Sequence, residues 1–492
     1  MSRGSTLFRK QYSLLRRSFA SATGESAAAK ESSGPFEFVD KLPKPNVQFS
    51  NANRLHFATV DRHQMNSHLM LSIPIGTRNE SSTSLGYTQA IKHIMFKNNL
   101  VYRQVAIHRA IEVASSKTAA TFGREYLTVS ADFPRQLTTD VLDYMSSMLS
   151  LPSFRDYDMH KVEEAIKFEF EQAETNGNIV VQDKLHRVAF RKGLGNPLFV
   201  NPKSISLDPN NMLEYYLNAT KDANVVVTGV NVDHALVQDV AGKMFPNGGI
   251  TTLKDLGSEE IKKFANPKEL ADLSSRLNGL SGGMELLKDA SVYKGGEWRG
   301  ENNSDDLNYF GLGFEGVSLK DKDYPAFLVL SALLRTDVNI PFGRGESVIH
   351  EVDNEFANVN ISDNHFSYSD AGLFTFTFKS LASKDRLKKV IEKTVQTAKS
   401  FELNDEHLQR GKNNALMTYH YQIGNRESHS DYMANQVLFG GNYKTHDELK
   451  SALNEVTAEQ VKQVLNKVFS SKPSVVAMGD DFKLPYADEL EL

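Results

Sequence analysis

Residues 69–96 read LMLSIPIGTRNESSTSLGYTQAIKHIMF, and residues 307–334 read LNYFGLGFEGVSLKDKDYPAFLVLSALL. Both run in the same order. An alternating apolar stretch with the period of a strand comes first, then a glycine-containing loop, then a stretch with the period of an amphipathic helix. Gly76 answers to Gly316, 240 positions on. A second pair of stretches behaves alike: VVVTGV around Gly229 answers to SVVAMG around Gly479, 250 positions on. Two nearly equal offsets mark an internal duplication. The expected fold class is α+β, in two homologous halves, each a mixed sheet with helices packed on it.

The length of 492 residues exceeds what one core organises, so more than one domain is expected. The boundaries read as 46–246 for the first half, 247–292 for a polar, loosely helical linker, and 293–492 for the second half. LTVSADF (127–133) places Leu127, Val129, Ala131 and Phe133 on one face and Thr128, Ser130 and Asp132 on the other, the pattern of a half-buried strand. Residues 157–174 read as a carboxylate-rich helix, and Asp233 as the cap of the helix after VVVTGV. The single glycine of that strand–helix unit does not make a dinucleotide fingerprint.

Residues 1–19 carry Arg3, Arg9, Lys10, Arg16 and Arg17, frequent serine and no acidic residue. A cationic, amphipathic, acid-free leader of this kind is expected to be a mitochondrial presequence. Residues 20–45, rich in Ala, Ser, Pro and charge, read as a flexible lead-in. The formal net charge of −5 gives no basic surface for nucleic acid, so none is expected as a partner. The chain has no cysteine, so thiolate metal sites and disulfides are excluded. No apolar run reaches the roughly 20 residues that span a bilayer, so any work at a membrane is expected to go through partners.

The chemistry turns on LGYTQAIKHIMFKNN (85–99). This stretch is similar to the zinc helix of the pitrilysin-like metallopeptidases, a family that includes the mitochondrial processing peptidase and the core proteins of respiratory complex III. The family pattern G-x-x-H-x-x-E-H-x-x-F-K survives as Gly86, His93, Phe96 and Lys97. The first histidine is replaced by Gln89, and the glutamate that serves as general base by Lys92. KFEFEQAETN (167–176) resembles the helix that brings the third ligand, which places Glu169 at that position and Val162 at the family's second acidic one. A catalytic zinc needs about three protein ligands, a water and a base. A charged lysine accepts no proton. The resemblance therefore implies a degenerate zinc site at Gln89, Lys92, His93 and Glu169, with no catalytic residue, no bound metal and no cofactor. Lys92 is expected to act as counterion to Glu169.

Leu85, Ala90, Ile91, Ile94 and Met95 read as core. His160 with Glu163 and Glu164 is the tightest His–carboxylate cluster elsewhere, and it reads as a solvated face. No HExxH or Walker loop is present. The likeness extends through TFGREYLTVSADF (121–133) and VYKGGEWRGENN (292–303). It implies that the halves face each other as a clam shell.

Within the family, the pattern is most similar to core subunit 2 of the cytochrome bc1 complex. That likeness implies a peripheral, matrix-side scaffold on the mitochondrial inner membrane. The implied partners are core subunit 1, cytochrome b, cytochrome c1 and the iron–sulfur subunit in a dimeric complex, with a presequence peptide as a possible occupant of the cleft. The alternatives are a presequence-binding α subunit of the processing peptidase, or an active zinc peptidase. The long glycine-rich loop of the α subunit is reduced here to LRTDVNIPFGRGESVIHE (334–351), and the ligand losses argue against the peptidase.

Overall fold

The computed structural model describes residues 47–491 apart from 100, 150–151, 222, 246–266, 278–285, 303–305, 337–346, 350–351, 353–355, 357 and 441–443. The expected presequence, the lead-in, the opening of the linker and most of the shortened glycine loop lie outside the described residues.

The strands are β1 (Val47–Ala52), β2 (Leu55–Val60), β3 (Asn66–Ile73), β4 (Lys117–Phe122), β5 (Leu127–Pro134), β6 (Val225–Val230), β7 (Gly296–Gly300), β8 (Asn308–Glu315), β9 (Val359–Ser367), β10 (Gly372–Ser380) and β11 (Ser474–Met478). They form two sheets, ordered β1-β2-β6-β3-β5-β4 and β7-β11-β8-β10-β9. Apart from the added β1, the two orders are one pattern. β2 and β7 each pair in parallel with the last strand of their sheet, β6 and β11. The other pairings are antiparallel. Two mixed sheets of one topology are what the duplicated sequence implied.

Gly76 and Gly316 hold the duplicated corner for the same reason. A Cβ on Gly76 would stand 2.1 Å from the Arg124 carbonyl oxygen, and one on Gly316 would stand 2.8 Å from the Leu373 nitrogen. In both halves a strand end is pressed against the chain at or just before the start of its neighbour, and only glycine leaves room.

Helices α1 (Tyr87–Ile94), α2 (Gln104–Val113), α3 (Thr138–Leu149), α4 (Asp156–Glu174), α5 (Gly177–Phe190), α6 (Pro209–Thr220) and α7 (His234–Met244) belong to the first half of the chain. α8 (Pro267–Leu277) follows in the expected linker, where Arg276 ties it to the Phe154 and Pro209 carbonyls at 2.6 and 3.0 Å. α9 (Tyr324–Leu334), α10 (Lys384–Ser400), α11 (Asp405–Gly424), α12 (Arg426–Asn435), α13 (His446–Glu455) and α14 (Ala458–Phe469) belong to the second half. Their starts are written in the sequence. Asp233 accepts from the Ala235 and Leu236 amides, and Thr445–Glu448 and Thr457–Gln460 form capping boxes.

One face of each sheet carries a large apolar core. Leu69, Leu71, Val129, Phe133 and Val227 belong to the first, and Phe310, Leu312, Phe376 and Val475 to the second. The opposite faces are covered by exchange. α5 lies on the second sheet, where Val181, Leu185 and Ala189 meet Tyr309, Leu373 and Val476. α12 lies on the first sheet, where Met433 meets Ala58, Val60, Val226 and Val230. The exchanged helices are themselves a repeat: α11 and α12 begin 249 residues after α4 and α5, at 405 against 156 and 426 against 177.

The exchange corrects the reading of residues 127–133. Leu127, Val129, Ala131 and Phe133 do enter the core, but Thr128 and Ser130 are buried as well. Alternation reports the polarity of a face. It does not report whether a helix from elsewhere covers that face. Leu85, read as core, is only half-buried, because it precedes the helix start.

An ion-pair network closes the other side of the join. Arg78 bonds Glu125 at 2.6 Å and Asp370 through both of its terminal nitrogens, while Glu125 accepts from the Ser369 amide at 3.0 Å.

Candidate functional site

α1 begins at Gly86, whose φ of +85° is in the left-handed region. With no Ser, Thr, Asp or Asn at that position, the first-turn amides need another acceptor. Glu80 supplies it from six residues upstream, accepting from the Gly86 amide at 2.9 Å and the Thr88 amide at 2.8 Å. Burial pushes the Glu80 carboxyl up to about 7, against the lowering effect of those two amides. Sequence reasoning missed Glu80. The available signal was a carboxylate shortly before a helix whose own cap position is a glycine.

Tyr87, Ala90, Ile91 and Ile94 of α1 face the core. Gln89, Lys92 and His93, spaced at i, i+3 and i+4, share the face turned toward α4. On α4 the buried positions Met159, Val162, Ile166 and Ala173 draw an apolar stripe. Glu169 stands in that stripe between Ile166 and Ala173. A carboxylate at a core position of a helix is costly unless partners meet it.

Three partners meet it, all from α1. Gln89 Nε2 donates to Glu169 Oε2 at 2.9 Å, Lys92 Nζ donates to Oε1, and His93 Nε2 lies 3.3 Å from Oε2. The side chains are mostly shielded, with 14% exposure at Lys92 and 22% at Glu169. Burial alone would raise the Glu169 carboxyl. The His93 imidazole beside the carboxylate and the hydrogen bonds from Gln89 and Lys92 outweigh it and hold the group at about 2. Gln89 is itself wholly buried, and its Oε1 accepts from the Val200 amide at 3.4 Å. The Lys92 ammonium also lies 5.1 Å from the centre of the Phe122 ring on β4. The structure thus brings all four sequence-predicted positions into one cluster.

A catalytic zinc does not fit this donor set. The amide nitrogen of Gln89 is turned to the carboxylate, and its oxygen serves the Val200 backbone. The Lys92 ammonium holds the carboxylate oxygen that a metal would need and offers no lone pair while charged. His93 and Glu169 remain, one donor short of the three that a catalytic zinc requires. Val162, at the family's second acidic position, is sealed in the core. Among the described residues, no group of three or more His, Cys, Asp or Glu could hold a metal ion. The cluster is an ion pair with one auxiliary hydrogen bond, from Gln89, and the His93 imidazole alongside.

His160 pairs with Glu164 at 3.5 Å on an open surface, with side-chain exposures of 79% and 67%. Such a pair contributes little. Among the described residues, no helix is long and apolar enough to cross a membrane.

The family model for insulinase-type peptidases of family M16 matches residues 56–202, which contain the cluster. The model for the inactive domain of M16 peptidases matches residues 206–415. The chain is 23% identical to cytochrome b-c1 complex subunit 2, mitochondrial, of Mus musculus, over 91% of this chain and 93% of the relative. It is 23% identical to the protein of the same name from Homo sapiens, over 98% of each chain. It is also 24% identical to mitochondrial-processing peptidase subunit alpha-2 of Dictyostelium discoideum, over 86% of this chain and 88% of the relative.

Proposed function

This chain belongs to the M16 peptidase family, and from that premise we propose that it is a non-catalytic member, core subunit 2 of the mitochondrial ubiquinol–cytochrome c reductase. In this reading it is a peripheral scaffold on the matrix side of the inner membrane. Its partners are core subunit 1, cytochrome b, cytochrome c1 and the iron–sulfur subunit in a dimeric complex. The observation that carries the reading is the Lys92 ammonium bonded to Glu169, where an active relative needs a metal and a base. The near full-length likeness to proteins named as subunit 2 of the cytochrome b-c1 complex supports the specific role. So does the basic, acid-free leader at residues 1–19, whose removal on import is part of the proposal.

A second reading has its own support. Relatives named as processing-peptidase α subunits cover most of the chain, and an α subunit needs no metal of its own to grip a presequence. The two readings separate on one experiment. The tagged chain is isolated from gently solubilised mitochondria and its companions are identified. The scaffold reading expects cytochromes b and c1 in stoichiometric yield. Recovery of a zinc-bearing peptidase β subunit without cytochromes would replace it with the α-subunit reading.

A further inference from the structure

The two exchanged helices are equivalent in the repeat and unequal in how they are held. Under α5 the second sheet offers an apolar bed. Val181, Leu185, Ala189 and Phe190 join Tyr309, Leu373, Val476 and Met478 in one buried cluster. The fit is close: a Cβ on Gly311 would stand 2.6 Å from Val181 Cγ1. Among the described residues of α5, the buried polar atom with no partner is Gln182 Oε1.

Under α12 the first sheet offers a mixed bed, in which Met433 meets a small apolar patch of Ala58, Val60, Val226 and Val230 and the rest of the face is polar. His68, Met70 and Ser72 of β3 lie on the same face as Thr228 of β6 and as Thr128, Ser130 and Asp132 of β5, by the register of the ladder. Among the described residues, nothing bonds the buried atoms His68 Nε2, Ser72 Oγ and Thr228 Oγ1, or Ser430 Oγ on α12 itself. A cavity of about 490 Å³ runs between helix and sheet, lined in part by Met70, Thr121, Ser130, Asp431 and Asn435.

Beside the Met433 patch, the ties that hold α12 to the first sheet's side are polar. Arg62 donates to His429 Nδ1 at 3.1 Å and, at the end of α11, to the Ile423 carbonyl at 2.8 Å. The Tyr126 hydroxyl donates to Asp431 at 3.0 Å and accepts from Asn435 at 3.0 Å. Each end of the helix is a weak point. Gly424 touches nothing on the side where a Cβ would stand, and a π-helical turn spans Gln436–Gly440.

We propose that α12 is a strap that lifts from the first sheet in the native state while α5 stays seated on the second. Lifting exchanges protein hydrogen bonds for water and gives the unpartnered hydroxyls and imidazole of the bed a partner. Lifting α5 would instead expose a continuous apolar surface larger than the patch under Met433. The hinge is Gly424–Asn425, and the lifted state opens the polar face of β3, β5 and β6 to solvent.

The test is hydrogen–deuterium exchange of the purified full chain, read by mass spectrometry on peptides covering Arg426–Asn435 and Gly177–Phe190. The strap should exchange at least about tenfold faster than α5. Tyr126→Phe, which removes the hydroxyl tie, should speed exchange in α12 and leave α5 as it was. The triple variant Ser72→Ala, Thr228→Val, Ser430→Ala should slow α12 about tenfold, because the bed no longer gains by hydration. Unchanged protection of α5 in each variant shows that the chain is folded. Equal exchange of the two helices in the parent chain, or variants that move both helices together, would overturn the strap.

Discussion

The crossing of α1 with α4 and the crossing of α9 with α11 are the same place in the two halves, built from opposite materials. In the second half the contact is apolar. α9 is buried at Ala326, Phe327, Val329, Leu330, Leu333 and Leu334, and it comes so close to α11 that a Cβ on Gly411 would stand 2.8 Å from Leu333 Cγ. Thr418, which matches Glu169 by the 249-residue offset of these helices, bonds the Asn414 carbonyl of its own helix at 3.1 Å. In the first half the crossing centres on one carboxylate, and Gln89, Lys92 and His93 are all committed to it.

The scaffold does not require a polar crossing, since its duplicate does without one. A buried ion pair is poor material for stability alone. We propose that the first-half cluster is a former metal position in which a lysine supplies the positive charge.

The comparison breaks most decisively if the first-half crossing can be turned back into a metal site. Gln89→His combined with Lys92→Glu should give a chain that keeps about one zinc through dialysis, measured by elemental analysis. The parent chain should keep no stoichiometric zinc. Zinc in the parent chain that is lost on Glu169→Ala would reverse the whole reading.

The apolar crossing should show the largest cost of a single truncation. Leu333→Ala should lower stability by about 2–5 kcal/mol in urea denaturation, the range for an emptied core leucine site. A loss under about 1 kcal/mol would mean that α9 and α11 are not closely packed.

The polar crossing should show coupling rather than sheer cost. Lys92→Met alone should lose about 1–3 kcal/mol by leaving the carboxylate short of its counterion. Lys92→Met with Glu169→Gln should recover more than about 1 kcal/mol of the summed single losses. Additivity within about 0.5 kcal/mol would mean that the two charges act independently.

The smallest effects are those of pH. Glu169 sits at about 2 in the fold against an ordinary 4.5. Its contribution is present above 4.5 and is lost as pH falls toward 2, an effect of roughly 1–2 kcal/mol after solvent screening. Glu80 has the opposite sign. Raised to about 7, it stabilises the fold fully below 4.5, and that contribution is lost as pH rises through 7. Glu169→Gln should flatten the acid limb of a stability profile and Glu80→Gln the limb between 4.5 and 7. A profile unchanged by either substitution would remove both carboxylates from the account.

Much of this was legible in the residues. The duplication showed in two glycine offsets, and the cap at Asp233 showed in local chemistry. The set Gln89, Lys92, His93 and Glu169 was found by likeness to a known helix. Glu169 also carried a physical mark, a carboxylate interrupting the stripe Met159, Val162, Ile166, Ala173. Glu80 was not legible, because its role depends on a loop folding back over the start of α1. The burial of Thr128 and Ser130 was hidden because their cover, α12, lies about 300 positions along the chain.

The sequence by itself determined several of the strands and helices, that the unit is doubled, and that Gln89 and Lys92 stand in the helix that resembles a zinc helix. Those facts rest on periodicity, capping and residue chemistry, all of which act over a few positions. Only the tertiary structure decided that α5 covers the second sheet, that α12 covers the first, and that three side chains of α1 converge on Glu169. Burial follows from whatever long-range partner a face meets, and a polar face has no local preference that names its partner.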